Sequence, residues 1–363
     1  MLVWHADFWA GNATFIGLAP DGAAEFEIRR DPGAGTAQWF CFQIAHGDRI
    51  PLRLTNADAA TYPAGWPAFR VARSIAGQGW IRIATQYRDG TLSFTHEGGE
   101  AIYAAFPIFP EEQLDAMAGL PGVSRWVLGD TSAGRAIPAF SIGSGPRDTP
   151  QHWIIAAQHG GEPPSSWFAL GLLQALAAGE MAGVLERARF HIVPVLNLDG
   201  MRAGHLRTND RGIDPNRQWN SPQNETCPEA FALFTAMQDL GVASCLDVHT
   251  DFELPYVYFD VLDAFLGTPE PLAGWARRFE EALARASSLI VAGRRYPWTE
   301  APSGALLSSM LGPAVMQRFG APALTLELPI CHFTDAFGRP DDWSEQCSIA
   351  LGAAAAKAYA ALP

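Results

Sequence analysis

Residues 152–167, HWIIAAQHGGEPPSSW, constrain the fold more than any other stretch of the chain. The apolar run 153–157 has the pattern of a buried parallel strand. It stops at a short turn carrying His159, Gly160, Gly161 and Glu162. Pro163 and Pro164 then favour a helix start, because the missing proline N–H is unpaired at the first helical position anyway. Trp167, Leu170, Leu173, Leu176 and Ala177 repeat at helical spacing. A strand handing directly to a helix predicts an α/β sheet and places His159 and Glu162 at its C-terminal edge, where such folds hold ligands. An imidazole and a carboxylate three residues apart on a Gly-Gly turn can grip one divalent cation.

The rest of the chain from Glu111 onward repeats the alternation. Edge strands are expected at 126–128 and 137–142, and further strands at 190–196, 243–248 and 323–328. Helices are expected at 163–178, 228–240, 342–361 and near 270–289 and 305–319, with a long loop over 197–226. Apolar strands alternating with amphipathic helices predict a mixed, largely parallel sheet covered on both faces, an α/β/α sandwich. Polar residues gather at the strand ends: Asn197 and Asp199 after the second, Asp247 and His249 ending the third, Glu327 at the fourth. One site is built from all of them.

The first hundred residues read differently. Short alternating or apolar runs (24–29, 38–45, 50–54, 80–87, 91–96, 101–106) are broken by Asp31-Pro32-Gly33, His46-Gly47-Asp48 and Arg88-Asp89-Gly90. That spacing predicts an antiparallel β-sandwich with no helix-period stretch. The aromatics Trp39, Phe40, Phe42, Trp80, Tyr87, Phe94, Tyr103 and Phe106 read as its core rather than as a carbohydrate-binding face. Residues 107–115, with two prolines, read as a linker. The expected division is a sandwich over 1–108 and a catalytic domain over 109–363.

Composition narrows the function classes. A net charge of −13 over 363 residues offers no basic footprint for nucleic acid. The five cysteines are odd in number and lack any CxxC pair, so free buried thiols are expected rather than a disulfide framework or a cysteine metal site. The start has no basic segment followed by an apolar core, and no 18-residue apolar span occurs, which predicts a cytoplasmic protein without a membrane segment.

A catalytic zinc site takes three protein ligands and keeps a position for water; His159, Glu162 and His249 supply two imidazoles and a carboxylate. Glu327 is an acid in an otherwise apolar strand, so it is either a structural carboxylate paired to an arginine or a base in a cleft. The loop 197–217 carries Arg202, Arg207, Arg211 and Arg217, and an arginine fork suits recognition of a free C-terminal carboxylate.

The ordered set His159-x-x-Glu162, Asn216-Arg217, His249 and Glu327 resembles the zinc carboxypeptidases of the M14 type. Asn197-Leu-Asp199-Gly200, Gly204-His-Leu-Arg207, Gly212-Ile-Asp214-Pro-Asn216-Arg217 and Asp247-Val-His249 resemble its cytosolic carboxypeptidase subfamily. The runs Arg29-Arg30-Asp31 through Phe42 and Trp80 through Phe94 resemble that subfamily's N-terminal sandwich. The resemblance implies one Zn2+ per chain on His159, Glu162 and His249. It further implies Glu327 as general base, Arg207 as oxyanion stabiliser, and Asn216 with Arg217 on the terminal carboxylate of a peptide or protein substrate. Related members act on acidic C-terminal residues, which makes glutamate the first side chain to test and Arg202, Arg211, Arg294, Arg295 and Arg318 the candidates for a basic pocket. The sequence departs from the family at Leu198, Pro215 and His205, and no tyrosine upstream of Glu327 clearly matches the one that closes over substrate in pancreatic-type members; Tyr296 is the nearest.

Two other classes share parts of this pattern. Deacylases of N-acyl acidic amino acids use the same metal set but lack a leading sandwich. A non-catalytic zinc-bearing binding protein would need neither Glu327 nor Arg207.

Overall fold

The computed structural model describes every residue except 1, 77, 147, 180, 261–266, 301 and 363. The first hundred residues form two five-stranded sheets packed face to face. One has the order Val3–His5, Cys41–His46, Ala101–Ala104, Ala72–Ser74, Trp80–Arg82; the other Thr14–Leu18, Ala24–Glu27, Ile50–Leu54, Thr91–His96, Thr85–Arg88. Side chains alternate across each strand, so Leu52 and Leu54 face Phe94 and Leu92 on the buried side. Phe26 of one sheet stacks on Phe42 of the other, ring centres 4.5 Å apart. Trp39, Phe40, Phe42, Phe94, Tyr103 and Phe106 are all buried, and Trp80 and Tyr87 half-buried, as expected of core.

Three details depart from the sequence reading. Ala24–Glu27 pairs with Ile50–Leu54 in parallel, because the chain between them crosses to the opposite sheet through Cys41–His46 and re-enters in the same direction. Two 3-10 helices, Ala57–Ala59 and Pro63–Ala68, are too short to print a helical period. The expected linker is also shorter than 107–115, since a helix already begins at Glu112.

From there the chain builds a seven-stranded sheet in the order Ser124–Asp130, Ala136–Ile142, Arg189–Val193, Gln151–Ala156, Ser244–Asp251, Ala323–Pro329, Tyr258–Asp260. Its four middle strands are parallel and its flanks antiparallel. Helices Pro163–Ala177, Glu270–Ala286 and Glu345–Ala361 cover one face, in a core continuous with that of the sandwich. Helices Pro228–Leu240 and Leu311–Phe319 cover the other. Two glycines set the closest helix crossing: a Cβ at Gly171 would lie 2.1 Å from the Ile349 carbonyl oxygen, and one at Gly352 would lie 2.1 Å from that of Phe168. The long loop 197–226 holds a short helix, Leu198–Ala203, and a 3-10 turn, Pro215–Arg217. All five cysteines are free, four of them buried.

Two core histidines give this fold an acid limit. His152 is held by the Ser244 hydroxyl at 2.8 Å, and His191 lies between Ser141 Oγ and Gln151 Oε1, both at 2.8 Å. Burial pushes each imidazole down to about 4, helped at His191 by Arg189. The unfolded chain therefore binds more protons than the folded one between about 6.5 and 4. Stability present above that window is lost as pH falls through it, by up to about 1.4 kcal/mol per pH unit per histidine. The urea midpoint is expected to be lower at pH 5 than at pH 7.5, and replacing both histidines by glutamine should flatten that slope; an unaltered slope would assign the acid limit elsewhere.

Candidate metal centre and cleft

The turn after Gln151–Ala156 is tightly determined. Ala157 adopts a positive φ of 47°, unusual for a residue with a Cβ, and it is held there at both ends: its N–H donates to Ser165 Oγ at 2.9 Å and its carbonyl accepts from the Asn197 N–H at 3.0 Å. A Cβ at Gly160 would lie 2.3 Å from the Met201 nitrogen, and one at Gly161 would lie 2.9 Å from Leu206 Cα. The Gly-Gly pair is thus required by the close approach of the loop that carries the arginines. Glu162 caps helix Pro163–Ala177 through its backbone only; its carboxylate is turned elsewhere.

That carboxylate receives both imidazoles. His159 Nδ1 lies 2.7 Å from Glu162 Oε1, and His249 Nδ1 lies 2.9 Å from Oε2, which also accepts the Thr250 N–H at 3.1 Å. All three residues are buried, with one donor atom from each lying within 4.8 Å of the other two. Burial alone would raise the Glu162 pKa, but the two imidazoles outweigh it and hold the group ionised. Behind the pair, His159 Nε2 faces Asp214 Oδ1 at 3.1 Å and His249 Nε2 faces Asp247 Oδ2 at 3.2 Å. A carboxylate on each Nε2 favours the tautomer with the proton there, which leaves each Nδ1, on the Glu162 side, available to ligate a metal. This donor set, two imidazoles and one carboxylate with both rings oriented from behind, fits a zinc ion.

The sheet register brings the remaining residues to the same place. His249 is the register partner of Glu327, and Glu327 in turn is the partner of Tyr258. No ion pair or hydrogen bond engages the Glu327 carboxyl among the described residues, so the arginine-paired alternative is not what the fold contains. Burial, and next the nearby Glu162, Asp251 and Asp260 carboxylates, push its pKa well above the usual range against the pull of His249. Arg207 is gripped by Asp214, with Nε and Nη2 donating to Oδ2 at 3.1 and 3.0 Å, while Nη1 donates to the Tyr62 hydroxyl oxygen at 2.9 Å. Asn216 accepts the Leu311 N–H and lies 3.3 Å from His249 Nε2; Arg217 Nη1 donates to the Asn216 carbonyl. All seven predicted site residues line one cleft of about 200 Å3, with Tyr62, Asp251, Glu253, Tyr258, Asp260, Tyr296 and Trp298 among its other walls. A larger groove of about 840 Å3, between Ser124–Asp130 and Pro228–Leu240, contains none of the seven.

Other strand-end residues prove structural. Asn197 accepts from the Gly200 N–H and donates to the Arg207 carbonyl, and Asp199 ties down Arg135 and the Ala133 N–H. The proposed basic pocket does not form. Arg202 pairs with Glu111, Arg295 pairs with Glu280, and Arg211, Arg294 and Arg318 donate to backbone carbonyls; none of the five lines the cleft. Sequence reasoning missed Tyr62, which comes from the sandwich and stacks on Phe252 at 5.6 Å. It also missed the orienting role of Asp214, for which the Asp two residues before Asn216 was the available signal.

Comparison with known proteins agrees with this geometry. A family model described as the cytosolic carboxypeptidase N-terminal domain matches residues 5–107, and one described as zinc carboxypeptidase matches residues 111–240. The crystal structure of a metallo-carboxypeptidase from Burkholderia cenocepacia is 31% identical, covering 99% of this chain and 98% of its own, with a TM-score of 0.89. The chain belongs to the M14 zinc carboxypeptidase family, cytosolic carboxypeptidase type. It is thereby a peptidase of the metallocarboxypeptidase class. A Pseudomonas aeruginosa metallo-carboxypeptidase, solved in complex with (2-guanidinoethylmercapto)succinic acid, is 30% identical over 99% of this chain and 98% of that one, at a TM-score of 0.90. Cytosolic carboxypeptidase 4 of Mus musculus is 35% identical over 288 residues, 63% of this chain but only 25% of that protein, so this M14 chain spans a quarter of that relative's length. No helix among the described residues is long and apolar enough to cross a membrane.

Proposed function

We propose that this M14 peptidase releases single residues from the C-termini of peptides or proteins, with one zinc ion held by His159, Glu162 and His249. The division into a sandwich over 1–108 and a catalytic part over 109–363 belongs to the same proposal. The observation that carries it is the convergence of both Nδ1 atoms on the Glu162 carboxylate in the cleft that also contains Glu327, Arg207, Asn216 and Arg217. Bound there, zinc supplies a Lewis acid that polarises a carbonyl and lowers the pKa of water. Glu327, raised in proton affinity by its surroundings, takes the proton from the attacking water and delivers it to the amine that leaves. Arg207, its guanidinium clamped by Asp214 and Tyr62, presents its remaining N–H donors to the developing oxyanion without having to reorganise. Asn216 and the free side of the Arg217 fork hold the terminal carboxylate, which restricts cleavage to the last peptide bond. No observation favours the deacylase or the non-catalytic reading.

The expectation of an acidic C-terminal residue finds no support in the cleft. Arg207 and Arg217 are its only cationic side chains among the described residues, and both have other tasks, whereas Asp251, Glu253 and Asp260 line the walls. Thr325, two residues before Glu327 on the same strand face, has Asp260 as its register partner, so a carboxylate sits deeper in the sheet on the cleft side. Like charges brought together this way cost several kcal/mol. The guanidino group of the ligand in the Pseudomonas relative accords with a site tolerant of positive charge. We therefore read the preference as basic or uncharged over acidic. In a peptide library varied at its last two positions and followed by mass spectrometry, lysine, arginine or neutral residues should leave at least about tenfold faster than glutamate. Fastest release of glutamate would reverse the side-chain reading, and cleavage confined to acyl-amino acids would replace the carboxypeptidase by a deacylase.

A further inference from the structure

The loop that carries Arg207 does not hold itself in place. Its turns at Gly204 (φ 71°) and Gly212 (φ 74°) press against the sandwich, where Cβ atoms would lie 2.5 Å from the Gly11 and Pro32 carbonyl oxygens respectively. Asn12 donates to the Gly204 carbonyl at 2.7 Å, and the Arg202 carbonyl accepts the Ala10 N–H at 3.1 Å. Between the two turns, three consecutive backbone N–H groups, of Leu206, Arg207 and Thr208, converge at 2.7, 2.7 and 3.0 Å on one carboxylate, that of Asp31. Consecutive N–H groups arranged in this way form an anion-binding nest. The nest is filled by a buried residue of the sandwich, itself fixed by the Thr36 hydroxyl at 2.9 Å. On the other side of the same arginine, the Tyr62 hydroxyl, also from the sandwich, accepts from Nη1.

We propose that Asp31 is a positioning residue for the hydrolysis: by filling the nest at 206–208 it sets where the Arg207 guanidinium stands over the cleft, with Tyr62 fixing the guanidinium end, so that the sandwich is a working part of the active site. This rests on the reading of Arg207 as oxyanion stabiliser. The orientation of one catalytic group carries large rate factors, and a displacement near 1 Å costs on the order of 10²-fold. Asn is nearly isosteric with Asp but offers a single acceptor oxygen and turns an N–H donor toward the nest.

The test is the zinc-loaded full chain carrying Asp31→Asn, Arg207→Ala or both, assayed for kcat and KM on a good peptide substrate, with zinc stoichiometry as a readout independent of turnover. Asp31→Asn should lower kcat about ten- to hundredfold, leave KM within about threefold and keep zinc bound. In the Arg207→Ala background it should cost nothing further, because the group it positions is gone. An unchanged kcat, or the same fold-loss with and without Arg207, would overturn the proposal and make Asp31 a plain structural contact. If Asp31→Asn fails to fold, Tyr62→Phe decides by the same cycle, removing only the hydroxyl on Nη1; a kcat loss of a few fold that vanishes without Arg207 is expected, and an unchanged or additive effect overturns it. Full activity of Arg207→Ala itself would instead refute the role given to Arg207, a distinct failure visible in the single variant.

Discussion

Glu327→Gln is expected to keep its zinc and its fold while turning over peptide about 10²–10⁴-fold more slowly. The expectation comes from the position of the carboxyl. It lies on Ala323–Pro329 as the register partner of His249, lines the cleft, and has no cationic partner among the described residues. Burial and three neighbouring carboxylates raise its proton affinity, which is what a group that must accept and then give up a proton requires. Glutamine keeps the shape and removes the titration. It also removes a carboxyl whose ionisation burial and its acidic neighbours disfavour, so the variant should be as stable as the parent or more so, the pattern of a residue kept for activity at a cost in stability. Rate and denaturant midpoint measured on one preparation check both halves. An unchanged rate would take the base role from Glu327; a large loss of stability would make it structural.

The second large effect is on the metal. His159→Ala or His249→Ala should abolish stoichiometric zinc, about one ion per chain in the parent, because two of three donors cannot compensate for the third. The flanking carboxylates separate ligation from mere folding. Asp247→Asn leaves all three donors in place but loosens the hydrogen bond on His249 Nε2, and should weaken zinc by about ten- to hundredfold without abolishing it. His249→Ala has a further cost, since Glu162 and Asp247 are buried against that imidazole and each keeps only its other partners, His159 and the Thr250 N–H for Glu162 and Gln158 for Asp247; losing one buried charged partner costs on the order of 1–3 kcal/mol. His249→Gln, which keeps a hydrogen-bonding side chain, controls for that destabilisation. Elemental analysis with circular dichroism on each variant reads both quantities. Full activity in a metal-free native protein would sink the mechanism.

Much of this site was legible because its parts are local. The strand, the Gly-Gly turn and the double proline around His159 and Glu162 are a continuous sixteen-residue segment, and each step of it follows from backbone sterics. His249 and Glu327 could be placed from strand ends alone, since parallel strands deliver their C-termini to one edge. Asn197 and Asp199 obeyed the same rule and served the loop instead, because pattern gives position along a strand but not which neighbour a side chain will meet. The five arginines proposed as a basic pocket failed for that reason too: each found a nearer carboxylate or carbonyl. The parallel pair in the sandwich was invisible, as alternation reports burial and not strand direction.

The sequence by itself determined the two architectures, the four strand ends and the chemical types needed for a zinc site. Those depend on periodicity of two or 3.6 residues and on fixed proline and glycine dihedrals, all of which act within a few residues. Only the tertiary structure decided how the arginine loop is held, that Asp214 and Asp247 lie behind the imidazoles, and that Tyr62 of the sandwich reaches the cleft and Asp31 the loop beside it. Asp31 and Arg207 are 176 residues apart in the chain, and nothing local distinguishes this aspartate in its Asp-Pro-Gly turn from a solvated one. The difference is made by three N–H groups of another loop, which converge on it once the two parts of the chain share one core.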